Sequence, residues 1–475
     1  MAAPNKSRTP SPAPSKEVLA QLQNPTNLEA LLMQLTAPDT QVIQQAEAVV
    51  KKYVKSPICV AGLVQQMQGS KYIQVRQLAA MLLRRRLGPL WSKLDANTKE
   101  ALKVALLQAV TGEQERAIRK NMASVIAVAA RKLLSKNKWN ELLAFIYQHS
   151  QAELEDHREL AFVILNELAE TLGKSFESQF PSLKQVYQVA LQDKSRKVQV
   201  ASLKACAALL MHLITEDASI VFQDLVPGML AVAKGCLDAG EEDIVSQVLD
   251  VFSELATTST SVITPSIPHV VHFCLEVLKR GETLQGSTQD VAGMVIIAIA
   301  EEKPKSLGKK GLVPDVVATL LHMMAISQDN AAGELLSTFD GRDAEEEDED
   351  DDYEGPSGQD IAQRCLDAMA IHVPAKYFYQ PTMALIGQCL DSPDFNARKA
   401  GTAALAVIIE GCSEEVTKHL GSILPRVFAS ARDPATCVRE CACFVLGQLS
   451  ENCQPEILEC HGKILPAIFT LLEDA

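Results

Sequence analysis

The stretch FPSLKQVYQVALQDKSRKVQVASLKACAALL, residues 180–210, decides the fold. An apolar residue and Pro181 open an apolar helical segment, a turn containing Asp193 follows, and a second helical segment starts at Arg196. Both halves recur along the chain. The first returns as LVPGMLAVAKGCLD at Leu225, IPHVVHFCLEVLK at Ile267, LVPDVVATLLHMM at Leu312, QPTMALIGQCLD at Gln380, ILPRVFASARD at Ile423 and ILPAIFTLLED at Ile464. Proline in a first helical turn loses no hydrogen bond and presets φ, so these prolines are read as helix starts. From Pro181 through Pro227, Pro268, Pro314, Pro381 and Pro425 to Pro466 the steps are 46, 41, 46, 67, 44 and 41 residues. The one long step contains an acidic segment.

The second half returns as IQVRQLAAMLLRRRL at Ile73, AIRKNMASVIAVAA at Ala117, DHRELAFVILNEL at Asp156, FNARKAGTAALAVI at Phe395 and TCVRECACFVLGQL at Thr436. Val75, Leu78, Ala79 and Leu82 follow the i, i+3, i+4, i+7 pattern of a helix with one apolar face. Small residues at Ala79, Ala123, Ala161 and Gly401 allow close helix approach. Degenerate copies run from Val42, Ile244, Val291 and Ile361, which makes ten second helices, with an eleventh repeat cut off after Asp474. A single helix pair cannot bury its own apolar face, so the pairs must stack. The expected fold is an all-α superhelical solenoid of about 10–11 helix pairs. Its last helix would present an uncapped apolar face, so the chain is expected to be the N-terminal part of a longer protein or a truncated gene model.

Composition narrows the function. With 45 Lys and Arg against 59 Asp and Glu, the formal charge is −14, which excludes a uniformly basic, general nucleic-acid-binding surface. Residues 340–354 alone carry −10 of it, and the other 460 residues carry −4. Residues 1–17, rich in Pro and Ser, lack the apolar centre of a secretory signal and read as a disordered tail. No uninterrupted apolar stretch approaches the roughly 18–20 residues of a membrane span, the longest being Val291 to Ala300, so no membrane partner is expected. None of the 12 Cys forms a CxxC pair. Cys437, Cys441 and Cys443 lie in an ordinary amphipathic helix and are read as small apolar residues, with no metal or cofactor. His149, His157 and His212 lack metal-like spacing, and neither a phosphate-cradling G-x-x-x-x-G-K-[ST] loop nor a G-x-S-x-G elbow is present, so no enzyme is expected.

Val-Arg-x-x-Ala in the second helices, with Asp in the preceding turn and Pro opening first helices, resembles HEAT repeats. QQAEAVVKKYVKSP at Gln44 followed by VRQLAAMLLRRRLGPLW at Val75 is similar to the N-terminal domain of the importin-beta superfamily, within residues 44–110. DHRELAFVILNELAETLGKSF at Asp156, GEEDIVSQVLDVFSEL at Gly240 and FVLGQLSENCQPEIL at Phe444 look like its importin-four type. The likeness covers essentially everything from residue 18 to 475. It implies a nuclear import receptor that binds Ran-GTP and basic or nuclear-localisation-signal cargo, such as histones or ribosomal proteins. It further implies contact with Phe-Gly nucleoporins, shuttling between cytoplasm and nucleus, and a monomeric carrier. A static HEAT scaffold, such as that of a phosphatase, is the alternative reading.

Two clusters are the candidate partner-binding residues. Glu345, Glu346, Glu347, Asp348, Glu349, Asp350, Asp351 and Asp352 are consecutive acids that should stay extended and solvated, with Gly341, Gly355 and Gly358 loosening the ends. They form an acidic loop, residues 339–358, inserted in the eighth repeat, where the family commonly carries one. Arg84, Arg85 and Arg86 are read as ending a helix, offsetting its C-terminal dipole, with at least one facing solvent or a partner. Arg76, Arg119, Arg158, Arg398 and Arg439 recur at one repeat position and are read as a structural ladder with turn aspartates such as Asp391 and Asp433. Trp91 and Trp139 are expected to pack between repeats.

Overall fold

The computed structural model describes residues 20–134, 138–175, 177–213, 215–258, 261–284, 286–326 and 356–473. Among the described residues there are helices and turns and no strand. They fall into two compact units that divide between residues 214 and 215. The first unit contains α1 (Pro25–Gln34), α2 (Thr40–Tyr53), α3 (Cys59–Gly69), α4 (Ile73–Leu90), α5 (Ala96–Gly112), α6 (Arg116–Leu133), α7 (Asn140–Ser150), α8 (Glu155–Ser175), α9 (Phe180–Ala190) and α10 (Arg196–Leu210). The second contains α11 (Glu216–Phe222), α12 (Val226–Asp238), α13 (Glu242–Thr257), α14 (Ile267–Leu278), α15 (Gly286–Glu302), α16 (Pro304–Lys309), α17 (Val313–Ile326) and α18 (Gly358–His372). It continues with α19 (Ala375–Leu390), α20 (Phe395–Gly411), α21 (Ser413–Lys418), α22 (Leu420–Ser430), α23 (Thr436–Asn452) and α24 (His461–Glu473).

All ten expected second helices are present, as α2, α4, α6, α8, α10, α13, α15, α18, α20 and α23. In the first unit α4 packs on α6, α6 on α8 and α8 on α10; in the second, α13, α15, α18, α20 and α23 pack in the same serial way. First helices lie against their own partners, α3 on α4, α7 on α8, α14 on α15 and α19 on α20. The apolar face read from the sequence of α4 is buried only in part: Val75 and Ala79 are at 0% exposure, but Leu78 and Leu82 are half-buried, and Ala80, Leu83 and Leu87, also at 0%, complete the buried stripe. Phe162 and Tyr187 meet in the core of the first unit with ring centroids 5.9 Å apart. Each large side chain buried in this way contributes roughly 1.5–3 kcal/mol. Trp139 is fully buried, whereas Trp91 is half-buried in a 3-10 turn with the Lys99 ammonium 5.9 Å from its ring centroid.

Helix entry differs from expectation at three prolines. Pro181, Pro227 and Pro268 occupy the first turns of α9, α12 and α14, each preceded by a separate 3-10 turn. Pro381, Pro425 and Pro466 lie inside α19, α22 and α24 instead of opening them. There the preceding turn is α-helical and joined to the helix, so the proline leaves unpaired only the carbonyl four residues back. Gly358 is likewise no loosened end: it is the first residue of α18. Ser357 caps that helix, its hydroxyl accepting from the Asp360 N–H while the Asp360 carboxylate accepts from the Ser357 N–H.

Residues 216–238 are long and apolar enough, by length and mean hydropathy, to cross a membrane. They are divided by the 3-10 turn Gln223–Leu225, carry Glu216, Asp217 and Asp224, and bury half of their apolar window inside the unit. That is the pattern of core helices.

Close approach rests on small residues, as the sequence indicates. Ala79, Ala123 and Ala161 are completely buried, and a Cβ on Gly401 would stand 2.7 Å from Cys389 Cβ. At Gly411 the neighbour is backbone: a Cβ would meet the Ala370 carbonyl carbon at 2.5 Å and the Ile371 nitrogen at 2.6 Å. Gly411→Ala is therefore expected to lower the thermal unfolding midpoint, at a cost of about 1–3 kcal/mol. Gly447→Ala on the exposed side of α23, where a Cβ meets nothing within 4 Å, should leave the midpoint unchanged or raise it.

Candidate partner-binding surface

The arginine ladder exists and is built from turns. In α8, Arg158 donates through Nε and Nη2 to both carboxylate oxygens of Asp193 at 2.8 and 2.9 Å, and through Nη1 to the carbonyls of Ala152 and Glu153. The guanidinium thus ties the turn before its own helix to the turn of the next repeat. Arg398 repeats this with Asp433 at 2.6 and 2.9 Å and the Ser392 and Pro393 carbonyls. Arg76 does so with Glu113 at 2.7 and 3.1 Å and the Ser70 carbonyl. Arg439 holds the Asp433 and Pro434 carbonyls. Arg119 departs, lying 3.9 Å from Glu159 while Arg116 approaches the same carboxylate to 2.7 Å. Asp391 is not a rung: its carboxylate accepts from Arg426 of α22 at 3.1 Å.

Burial pushes the Asp193 carboxyl up, but the hydrogen bonds from Arg158 and the Ser195 N–H, with the guanidinium charge, outweigh it and hold the group below its ordinary range. Glu113 is lowered in the same way, burial being overcome by Arg76 and the Glu115 N–H. At Asp433 the Arg398 hydrogen bond is the largest cause and also lowers it.

Arg84, Arg85 and Arg86 do not end a helix, because α4 runs on through Pro89 to Leu90. Pro89 carries no N–H and so forgoes the bond to the Arg85 carbonyl, one turn before it. The three guanidinium groups part company, as a 100° turn per residue requires. Arg86 is half-buried and its Nε donates to the Val54 carbonyl at 2.9 Å, closing the C-terminal end of α2. Its charge opposes, without cancelling, the burial that pushes the nearby Cys59 thiol up to about 11. Arg84 and Arg85 are exposed. Met81, one turn back on α4, is 38% exposed and gives this basic face an apolar component that the sequence reading missed. The signal was there, since Met81 falls outside the stripe formed by Val75, Ala79, Leu83 and Leu87.

Glu345 to Asp352 lie outside the described residues, as does most of the acidic segment. The described flanks are α17 and α18, which pack on each other as the two helices of one repeat. Cys441 is buried, Cys437 half-buried and Cys443 exposed, so the three face different surroundings. Among the described residues no three His, Cys, Asp or Glu side chains stand close enough to hold a metal. His149 stacks on Phe145 with ring centroids 3.8 Å apart and bonds the Phe145 carbonyl through Nδ1.

A family model described as IPO5-like, TPR repeats matches residues 114–273. Importin-4 of Homo sapiens is 28% identical over 423 residues, covering 89% of this chain and 38% of the relative. The probable importin subunit beta-4 of Schizosaccharomyces pombe is 28% identical over 429 residues, with coverage of 89% and 38%. Among solved structures, Kap121p bound to RanGTP matches with a TM-score of 0.73 at 23% identity, covering 96% of this chain and 43% of that one. Kap121p bound to Nup53p gives 0.76 at 22% identity, with coverage of 96% and 43%. These likenesses show the all-α HEAT-repeat solenoid fold. The chain spans less than half the length of these relatives.

Asp193 binds fewer protons folded than unfolded near its ordinary pKa of about 4, so its stabilisation is complete above that pH and is lost as pH falls through the folded value. Arg158→Ala, which strands a carboxylate whose side chain is 11% exposed, should destabilise the chain by about 3 kcal/mol at pH 7. The difference between variant and parent unfolding midpoints should shrink as pH is lowered from about 5 to 2. A gap that stays constant with pH would show that the lost stability came from packing alone.

Proposed function

We propose that this chain is the N-terminal portion of a nuclear import receptor of the importin-beta superfamily. The receptor binds cargo in the cytoplasm, carries it through the pore, and releases it on binding Ran-GTP. The observation that carries the reading is sequence kinship with importin-4 along 89% of the chain. The existence of Kap121p structures bound to RanGTP, Ste12p and Nup53p supports it, since they share this fold.

In this reading the second helices of the first unit, with Arg84 and Arg85 projecting from α4, meet the GTPase, and the acidic segment Glu345 to Asp352 adds a long-range field for it or for basic cargo. Such a field acts over roughly 8–10 Å at physiological salt. Arg86 belongs to the scaffold. No group in the chain needs to react. A stacked array offers many weakly coupled helix pairs, and a ligand favouring one arrangement of them lowers affinity for a second ligand favouring another. Residues 44–110 serve as the GTPase-facing portion, the receptor acts as a monomer, and it shuttles between cytoplasm and nucleus.

Pull-down with Ran locked in its GTP form should retain the chain, and Ran-GDP should not. Equal or absent retention favours a static scaffold. Arg84→Glu with Arg85→Glu should weaken Ran-GTP binding by about tenfold or more, whereas replacing residues 345–352 with Ser should chiefly reduce its salt dependence.

A further inference from the structure

Directional side-chain ties divide the second unit into two blocks. In the first, Ser246 of α13 and Thr288 of α15 share a hydrogen bond at 3.0 Å, and Arg364 of α18 reaches back to pair with Asp290 of α15. In the second, Arg398 of α20 grips both carboxylate oxygens of Asp433 ahead of α23, and Arg426 of α22 holds Asp391. The charged groups nearest to clipping α18 to α20 are therefore committed elsewhere. Arg364, the one arginine of α18, pairs with α15, and Asp391, in the turn ahead of α20, pairs with α22. The fourth residue, which is Arg158 in α8 and Arg398 in α20, is Ile361 in α18, 1% exposed and with no polar side-chain atom. Val245 and Gln289 stand there in α13 and α15, but those helices have the ties just given.

The other edge of the same junction is closed. A Cβ on Gly411, at the C-terminal end of α20, would meet the Ala370 carbonyl carbon of α18 at 2.5 Å. One on Gly308 of α16 would stand 2.5 Å from Cγ of Tyr377 in α19. Ala370 and Tyr377 flank the point where α18 ends at His372, so both close approaches lie away from the turns that arginines clip. Like charges stand beside them. Burial pushes the Asp367 carboxyl of α18 up, and the Glu410 charge of α20 pushes it further, with His372 opposing.

We propose that the junction of α18 and α20 is a hinge, pivoting on the Gly411 and Gly308 contacts and opening between Ile361 and the turn of residues 391–394. Apolar packing is non-directional and tolerates a change of angle, whereas a guanidinium bonded to a carboxylate and to carbonyls holds one geometry. The first helix of this repeat, α17, packs on α18 and α20 alike, and its buried residues there are Val, Leu and Met with one Thr, so it can roll between them. α13, α15 and α18 then move as one body, and α20, α22 and α23 as another. The inference goes beyond the receptor reading, because it concerns the scaffold whatever is bound. A ligand that spans both bodies and fits one opening angle shifts the hinge to that angle.

The test is pulsed dipolar spectroscopy on the full chain, with nitroxides carried on a genetically encoded keto amino acid at pairs of the exposed positions Asp243, Ile371, Phe395 and Leu458. The distance distribution between 243 and 395, across the hinge, should be about twice as wide or more as that between 243 and 371 or between 395 and 458, each within one body. Arg398→Leu removes the clip of the second body and should widen the 395–458 distribution to a similar breadth. An unchanged 243–371 distribution in that variant shows that the unit is still folded. The hinge is overturned if 243–395 is no wider than 243–371 in the parent. The inference also fails if Arg398→Leu leaves 395–458 as narrow as before, since guanidinium clips then do not decide where the array bends.

Discussion

A hairpin of two amphipathic helices has more apolar surface than it can cover by itself, and that deficit organises the whole molecule. Each second helix covers the next, so α4, α6, α8 and α10 form one serial contact and α13, α15, α18, α20 and α23 another. The contact works only where backbones come close. Alanine at 79, 123 and 161 and glycine at 401 and 411 meet that condition, and a single methyl at Gly411 would collide with backbone that has nowhere to move. Everything polar is arranged around this packed seam.

The arginine ladder follows from it. Stacking brings the turn ahead of one second helix beside the turn of the next repeat, where carbonyls have lost their helical partners. A guanidinium fits because its planar fork can bind two carbonyls and a carboxylate together. Arg158 and Arg398 do this in the two units with nearly the same distances. The carboxylates stay charged because the hydrogen bonds exceed the burial penalty. Register between repeats is thereby specified by directional bonds in addition to apolar area, which is non-directional. Arg119 shows the alternative, with the rung replaced by a looser pairing to Glu159 that Arg116 shares.

Once the seam and ladder have taken up their residues, Arg84, Arg85 and Met81 of α4 remain exposed. The charge of −14 is misleading as a description of this face, because residues 340–354 hold most of it while α4, α6 and α10 hold no acid.

The sequence by itself determined the all-α repeat and its ten second helices, because a repeat writes the same apolar spacing and the same turn residues many times and each copy corrects the others; the short helices α11, α16 and α21 lie outside that pattern and only the structure shows them. It also determined that Arg76, Arg158 and Arg398 are structural, since only a repeated scaffold need repeats the same residue at the same place. Tertiary structure alone decided the roles of residues that occur once. Arg84, Arg85 and Arg86 are indistinguishable as letters, yet one closes α2 through the Val54 carbonyl and two face solvent. Pro381, Pro425 and Pro466 match the other prolines in motif but lie inside their helices, because whether the preceding turn joins the helix depends on packing that the motif does not encode.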